Sequence, residues 1–221
     1  MALVTNRKQS TRCLKLCLVT NLSKQNQHFD VYKRIILNAI SGGVTSVQLR
    51  EKTENLEKFR CLALKIKALL CPLKIPLIIN DHVTIAKEVD AEGVHLGFSD
   101  LSPLEARKIL GQEKIIGLSV YTQEQLYIAT QLENVIDYIG VGAIFPSKTK
   151  SDCIPIGFSG LQKMTTSAIH PVIAIGGITE KNIGTVMKNG AYGVAVVSAI
   201  HDADNPAQAA TDLLKNMNAF I

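Results

Sequence analysis

The chain has 221 residues, 47% of them hydrophobic and 19% charged, with a formal net charge of +5. This is the composition of a soluble globular protein long enough for a sizeable core, not of a disordered, fibrous or membrane-embedded chain. Lys and Arg are spread without a basic run, Trp is absent and aromatics make up only 5%, which argues against a nucleic-acid binder and suits small anionic ligands.

The first twelve residues are polar. The first apolar run, 14–19, contains Lys15 and is too short for a signal or transmembrane segment. Five cysteines are scattered without a C-x-x-C pair, and Cys13 and Cys17 have no second pair at zinc-ligand spacing. They read as reduced thiols in a reducing compartment, mostly packing residues, in a cytosolic protein. Residues 1–13 read as an extension and 14–221 as one domain, since no Pro/Gly/Ser-rich linker interrupts the chain.

In chain order, a β-branched or aliphatic run predicts a strand at 14–20, and helical periodicity follows over 31–40. The alternation then repeats: strand 46–49 and helix 56–70, strand 76–79 and helix 83–89, strand 93–96 and helix 103–110. Strand 115–119 precedes helix 123–132, strand 138–141 precedes helix 159–167, strand 172–175 precedes helix 180–188, and strand 193–197 precedes helix 206–217. Ser102 opens one helix as a cap, with Pro103 at its first position and Glu105 at the third, and Thr179 stands before Glu180. Eight strands alternating with eight helices predict a (β/α)8 TIM barrel of class α/β. A doubly wound open sheet would have fewer strands and a Gly-rich turn after the first, where this chain has Thr20-Asn21-Leu22-Ser23.

In such a barrel, chemistry sits past the C-terminal ends of the strands. Strand two ends in Gln48, Arg50 and Lys52, spaced two apart and therefore on one face of an extended segment. One amide and two cations in a row suit a polyanion such as a diphosphate, or else a solvated strand end. Strand three ends in Asn80-Asp81, and Asp100 follows strand four after Gly97-Phe98-Ser99. As a pair beside those cations the two carboxylates suit Mg²⁺, which takes one or two carboxylates plus phosphate oxygens. Taken singly, Asp81 fits a helix N-cap and Asp100 a turn.

Ser119 ends strand five, with Thr122 placed to cap the next helix. The segment after strand six, Ser147-Lys148-Thr149-Lys150, packs two hydroxyls and two lysines into four residues. That density suits phosphate oxygens, or a mobile surface loop. Gly176-Gly177 ends strand seven and Val197-Ser198 ends strand eight, where backbone N–H groups form the recurrent phosphate site of this fold. His95 lies inside an apolar run and reads as a buried structural histidine, whereas His82 reads as exposed. No Ser/His/Asp or Cys/His arrangement stands out at the strand ends, so no covalent nucleophile is expected. Two anion-binding regions at one barrel mouth fit an enzyme that joins a diphosphate-bearing donor to a phosphorylated acceptor.

From about Leu14 to Ile200, the chain resembles the thiamine phosphate synthase family. The resemblance is carried in order by VQLREK (47–52), IINDH (78–82), GVHLGFSDL (93–101), IGLSV (116–120), YIGVGAIFPSKTK (138–150), AIGGI (174–178) and GVAVVSAI (193–200). It implies an enzyme joining 4-amino-5-hydroxymethyl-2-methylpyrimidine diphosphate to 4-methyl-5-(2-phosphoethyl)thiazole, giving thiamine phosphate and diphosphate. By position it implies that the stretch Gln48-Leu49-Arg50-Glu51-Lys52 binds the pyrimidine diphosphate together with Asn80, Ser119 and Lys150. Asp81 and Asp100 would ligate Mg²⁺. Ser147, Lys148, Thr149, Gly177, Val197 and Ser198 would bind the thiazole phosphate.

The implied mechanism is dissociative, with Arg50, Lys52, Lys150 and Mg²⁺ stabilising the departing diphosphate. The thiazole nitrogen then attacks, and having no proton to lose it needs no general base. Phe98 stands where the family usually carries Gln, and Tyr121 where His is common among relatives. A related thiazole tautomerase relies on a histidine near there, so Tyr121 counts against that isomerase activity, and the QLREK row counts for the synthase. A non-catalytic binder of thiazole or thiamine phosphate is the alternative of a different class.

Overall fold

Apolar runs of four to six residues, too short for stable helices and rich in Val, Ile and Leu, suit strands buried on both faces. The computed structural model describes residues 11–20, 29–51, 55–146 and 154–219, and in it those runs form the strands of a closed parallel barrel. The strands are β1 (Leu16–Val19), β2 (Ser46–Leu49), β3 (Leu77–Asn80), β4 (Gly93–Leu96), β5 (Ile115–Val120), β6 (Tyr138–Val141), β7 (Val172–Ile175) and β8 (Gly193–Val196). They pair in sequence order, and β8 closes on β1. The expected (β/α)8 TIM barrel is thus the fold, as one domain.

The described helices are α1 (Phe29–Ser41), α2 (Leu56–Leu70), α3 (Val83–Glu88), α4 (Pro103–Leu110), α5 (Gln123–Thr130), α6 (Gly157–Ser167), α7 (Ile183–Lys188), α8 (Ser198–His201) and α9 (Pro206–Asn218). Ser102 caps α4 as expected, accepting from the Glu105 N–H at 3.3 Å, and Thr122 caps α5 through the Gln125 N–H at 3.2 Å.

Several boundaries differ from the expected ones. β1 begins at Leu16 because Thr11–Leu14 turn as a 3₁₀ helix. α6 begins two residues before the expected start. α7 begins at Ile183, not at 180 behind a Thr179 cap. There the Asn182 side chain accepts from the Thr179 N–H at 2.8 Å and donates to the Gly177 carbonyl at 3.0 Å, holding 179–182 in a turn. The single turn α8 carries too little periodicity to be expected from sequence.

Side-chain alternation along the strands divides the apolar residues into two layers. Leu49, Leu77, Ile79, Val94, Leu96, Leu118 and Val141 face out and pack against the helices. Cys17, Val19, Ile78, Ile115, Tyr138, Ile173 and Ala195 face in, with Leu14 closing the barrel floor. Burial pushes the Cys13 and Cys17 thiols up to about 12 and about 11, so these two are inert packing groups. Cys61 and Cys71 sit exposed on the surface and are the exceptions to packing among the described cysteines, and Cys153 lies outside the described residues.

A buried ion pair anchors α4 to the barrel. Arg107 Nη2 donates to Asp137 Oδ2 at 2.8 Å, and the Ile116 N–H donates to the same oxygen at 2.8 Å. The guanidinium also donates to the carbonyls of Val135, Gly111 and Lys114 at 2.7, 2.9 and 2.6 Å. One side chain thereby satisfies the connections around β5 and β6, where backbone acceptors would otherwise be stranded.

Candidate functional site

At the C-terminal mouth of the barrel the strand ends surround a cavity of about 470 Å³ that reaches down to Leu14 and Cys17. That volume is of the size that takes a small ligand.

On the β2 side, Gln48 and Arg50 both line the cavity, as their two-residue spacing requires. Gln48 is buried and donates through Nε2 to Asn80 Oδ1 at 2.7 Å, which orients the neighbouring amide. The Arg50 N–H donates to Thr20 Oγ1 at 3.1 Å, fixing the start of that loop to the top of β1. Leu49 has the opposite parity and is buried in the layer between barrel and helices, so only its backbone is available to a ligand. Glu51 is half-buried beside Tyr32, whose phenol is raised first by burial and then by the Glu51 charge. Lys52 lies outside the described residues.

Asp81 follows β3 in the left-handed region, at φ 66°, with its N–H donating to the His95 carbonyl at 2.8 Å. Asp tolerates this conformation better than most residues do. Asp81 does not cap α3; the cap position is His82, which makes no side-chain bond there and packs its ring edge-on against Phe59. His82 is therefore half-buried, not exposed. Asp100 accepts from the Gly97 N–H at 2.6 Å, so it holds its own turn while facing the cavity.

The carboxyls of Asp81 and Asp100 lie together. Desolvation first, then the charge and hydrogen bonding of Asp100, push Asp81 up to about 6, against the opposing pull of Arg50 and Asn80. Paired carboxylates that repel one another at neutral pH are a receptor for a cation. Among the described residues no group of three or more His, Cys, Asp or Glu is gathered as in a protein-only metal cage. Two carboxylates open to a cavity fit Mg²⁺, which completes its shell with water and phosphate oxygens.

The opposite wall is formed by Gly176, Gly177 and Ile178 after β7, and by Val197 and Ser198 after β8. Ser198 opens the one-turn helix α8. Gly177 has φ 63°, and a Cβ there would lie 2.7 Å from Phe145 Cβ and 2.8 Å from the Pro146 carbonyl oxygen. Backbone, not side chain, therefore faces the cavity at this point. Gly177→Ala is expected to cost about 1–3 kcal/mol from strain alone. At about 2–4 °C per kcal/mol, a circular-dichroism melt should show the midpoint fall by several degrees; an unchanged midpoint would mean that the 145–146 segment yields freely. Ser147, Lys148, Thr149 and Lys150 lie outside the described residues.

Deeper in the cavity, one constellation departs from the sequence expectation. Ser119 Oγ lies 2.9 Å from His95 Nε2, and His95 Nδ1 lies 2.8 Å from the Tyr138 hydroxyl. His95 is buried and hydrogen-bonded as expected, but it also lines the cavity, paired with Ser119. The third member is a phenol, not a carboxylate, so the trio is not an Asp-supported nucleophile. The sequence signal for it is parity: His95, Ser119 and Tyr138 all fall on inward positions of three consecutive strands. Phe98 and Tyr121 line the cavity mouth.

Comparison with known proteins identifies relatives along most of the chain. A family profile described as thiamine monophosphate synthase matches residues 16–200. The thiamine-phosphate synthase of Chlamydia caviae is 41% identical over 196 residues, 88% of this chain and 91% of that protein. That of Alkaliphilus oremlandii is 49% identical over 175 residues, 79% of this chain and 83% of that protein. Among solved structures, the thiamine phosphate pyrophosphorylase from Pyrococcus furiosus superposes with a TM-score of 0.81 at 31% identity, covering 95% of this chain and 98% of that one. A 3-hexulose-6-phosphate synthase, at 17% identity and a TM-score of 0.68, shares the fold.

Proposed function

The chain belongs to the thiamine monophosphate synthase family, and from that membership we propose that it condenses 4-amino-5-hydroxymethyl-2-methylpyrimidine diphosphate with 4-methyl-5-(2-phosphoethyl)thiazole. The products are thiamine phosphate and diphosphate. The observation that best supports this is the division of one cavity into two polar walls. Arg50 and the Asp81/Asp100 pair stand on one side, and the backbone of Gly177 with Val197 and Ser198 stands on the other. An isomerase acting on the thiazole phosphate alone has no use for the first wall.

In the proposed reaction the bond between the pyrimidine methylene carbon and the diphosphate oxygen breaks, and its electron pair leaves with the diphosphate. The lone pair of the thiazole nitrogen then forms the new carbon–nitrogen bond. No proton moves, so no general base is needed. Arg50 receives the diphosphate bidentately, with Lys52 and Lys150 as proposed further cations. Gln48, Asn80 and Ser119 hold the pyrimidine edge, while Gly177, Val197 and Ser198, with Ser147, Lys148 and Thr149, take the thiazole phosphate. Holding both substrates at one mouth supplies part of the rate by orientation. Asp81 and Asp100 are the proposed Mg²⁺ ligands; the bound ion would neutralise charge on the diphosphate oxygens. Among the described residues no helix is long and apolar enough to cross a membrane. Free cysteines on the surface support the cytosol as the proposed location.

Purified protein mixed with both substrates and Mg²⁺ is expected to form thiamine phosphate, followed as thiochrome fluorescence. Excess EDTA is expected to abolish the signal, and added Mg²⁺ to restore it. Product that persists in EDTA would sink the metal assignment. Folded protein and active substrates without product would sink the synthase reading and bring the tautomerase and binding assays forward.

A further inference from the structure

The hydrogen-bonded line Tyr138–His95–Ser119 runs from the barrel core to the cavity wall, and its first two members have no part in the chemistry above. It is built into the barrel register. His95 pairs with Gly117 across β4 and β5, Gly117 with Tyr138 across β5 and β6, and Ser119 with Gly140. Both glycines are required by the neighbouring rings: a Cβ at Gly117 would lie 2.1 Å from Tyr138 Cζ, and one at Gly140 would lie 2.8 Å from His95 Cε1. Two strand positions thus give up their side chains so that one phenol and one imidazole fit.

The direction of the hydrogen bonds follows from the buried end. Tyr138 is buried, and burial raises its phenol well above the ordinary value, so the hydroxyl keeps its proton. A buried hydroxyl proton needs an acceptor. Among the described residues the hydrogen-bond partner of that hydroxyl is His95 Nδ1. Nδ1 must then be the bare nitrogen, which places the imidazole proton on Nε2, facing Ser119 Oγ at 2.9 Å. With its oxygen engaged as an acceptor from Nε2–H, Ser119 turns its own proton toward the cavity.

We infer that Tyr138 and His95 are positioning residues that set Ser119 as a hydrogen-bond donor, aimed at an acceptor nitrogen on the edge of an aromatic heterocycle. Resting on the synthase reading, this deepens it: the heterocycle is the aminopyrimidine, whose ring nitrogens accept and whose amino group donates. With the opposite imidazole tautomer Ser119 would donate to His95 and present only lone pairs, which favours a donor edge. The barrel core thereby chooses the hydrogen-bonding character of the ligand edge without touching it.

The first test needs no substrate. Long-range ¹H–¹⁵N spectra of ¹⁵N-histidine protein, with His95→Gln used to assign the signals, are expected to show His95 protonated at Nε2 and bare at Nδ1. The second is a double-mutant cycle in steady-state kinetics. Tyr138→Phe keeps the ring beside Gly117 and is expected to raise KM for the pyrimidine diphosphate roughly tenfold, the scale of one hydrogen bond, with KM for the thiazole phosphate unchanged. Combined with Ser119→Ala it should cost nothing beyond Ser119→Ala alone. His95→Gln, which retains a donor toward Ser119, should recover part of what His95→Ala loses. A His95 protonated at Nδ1 overturns the inference, as do costs that multiply in the double variant or fall equally on both substrates. Wild-type protein without turnover would overturn the synthase reading instead, and the tautomer would still decide the relay.

Discussion

Arg50→Ala is expected to lower kcat about 10³-fold or more, on the scale of a lost arginine that stabilises a departing phosphate, while the barrel stays folded. The side chain stands at the rim, half-buried, and lines the cavity. Its contact with β1 is made by the backbone N–H to Thr20 Oγ1 and survives the substitution. What is lost is the one cation that faces the Asp81/Asp100 pair in the described part of the site. Asp81→Asn is the companion variant, because Asn tolerates the left-handed backbone that Asp81 occupies at φ 66°. It removes the charge without adding strain, and is expected to cost about 10²-fold or more in kcat and to raise the Mg²⁺ concentration needed for half-maximal rate. Thiochrome kinetics paired with circular-dichroism melts separate lost chemistry from lost fold. Near-wild-type turnover in either variant would remove that residue from the proposed site.

Arg107→Ala is expected to destabilise the protein by about 3–5 kcal/mol, the range for breaking a buried ion pair from one side, which is roughly 10 °C or more in the melting midpoint. The cost comes from what remains. Asp137 loses the guanidinium that donates to it at 2.8 Å in the core, and the carbonyls of Gly111, Lys114 and Val135 lose a donor. Replacing both charges, as Arg107→Met with Asp137→Asn, is expected to recover only part of the loss, since those carbonyls stay unmet. Full recovery in a thermal melt would mean that the carbonyls are hydrated in the variant and that the ion pair alone mattered.

Much of the site was readable from residues in order. Period-two spacing placed Gln48 and Arg50 on one face, and both line the cavity; the same parity sends Leu49 outward, which a motif match by itself does not reveal. Polar residues immediately after apolar runs marked the rim, because a barrel strand ends where its burial ends. Local chemistry also failed in two places. Asn182 folds its side chain back on 177–179 and delays α7, and α8 is a single turn. In both, a side-chain hydrogen bond or a packing contact outweighs periodicity too short to register.

The inward or outward facing of each strand residue, the strand count and the rim cations are local properties of the sequence. Which inward residues touch is not, because it depends on the stagger with which separate strands pair around a closed barrel. Only that register brings Asp81 against Asp100 and lifts its pKa, and only it lines up Tyr138, His95 and Ser119 from three strands. Period and composition select the elements, whereas hydrogen-bonded closure among residues dozens of positions apart selects the contacts.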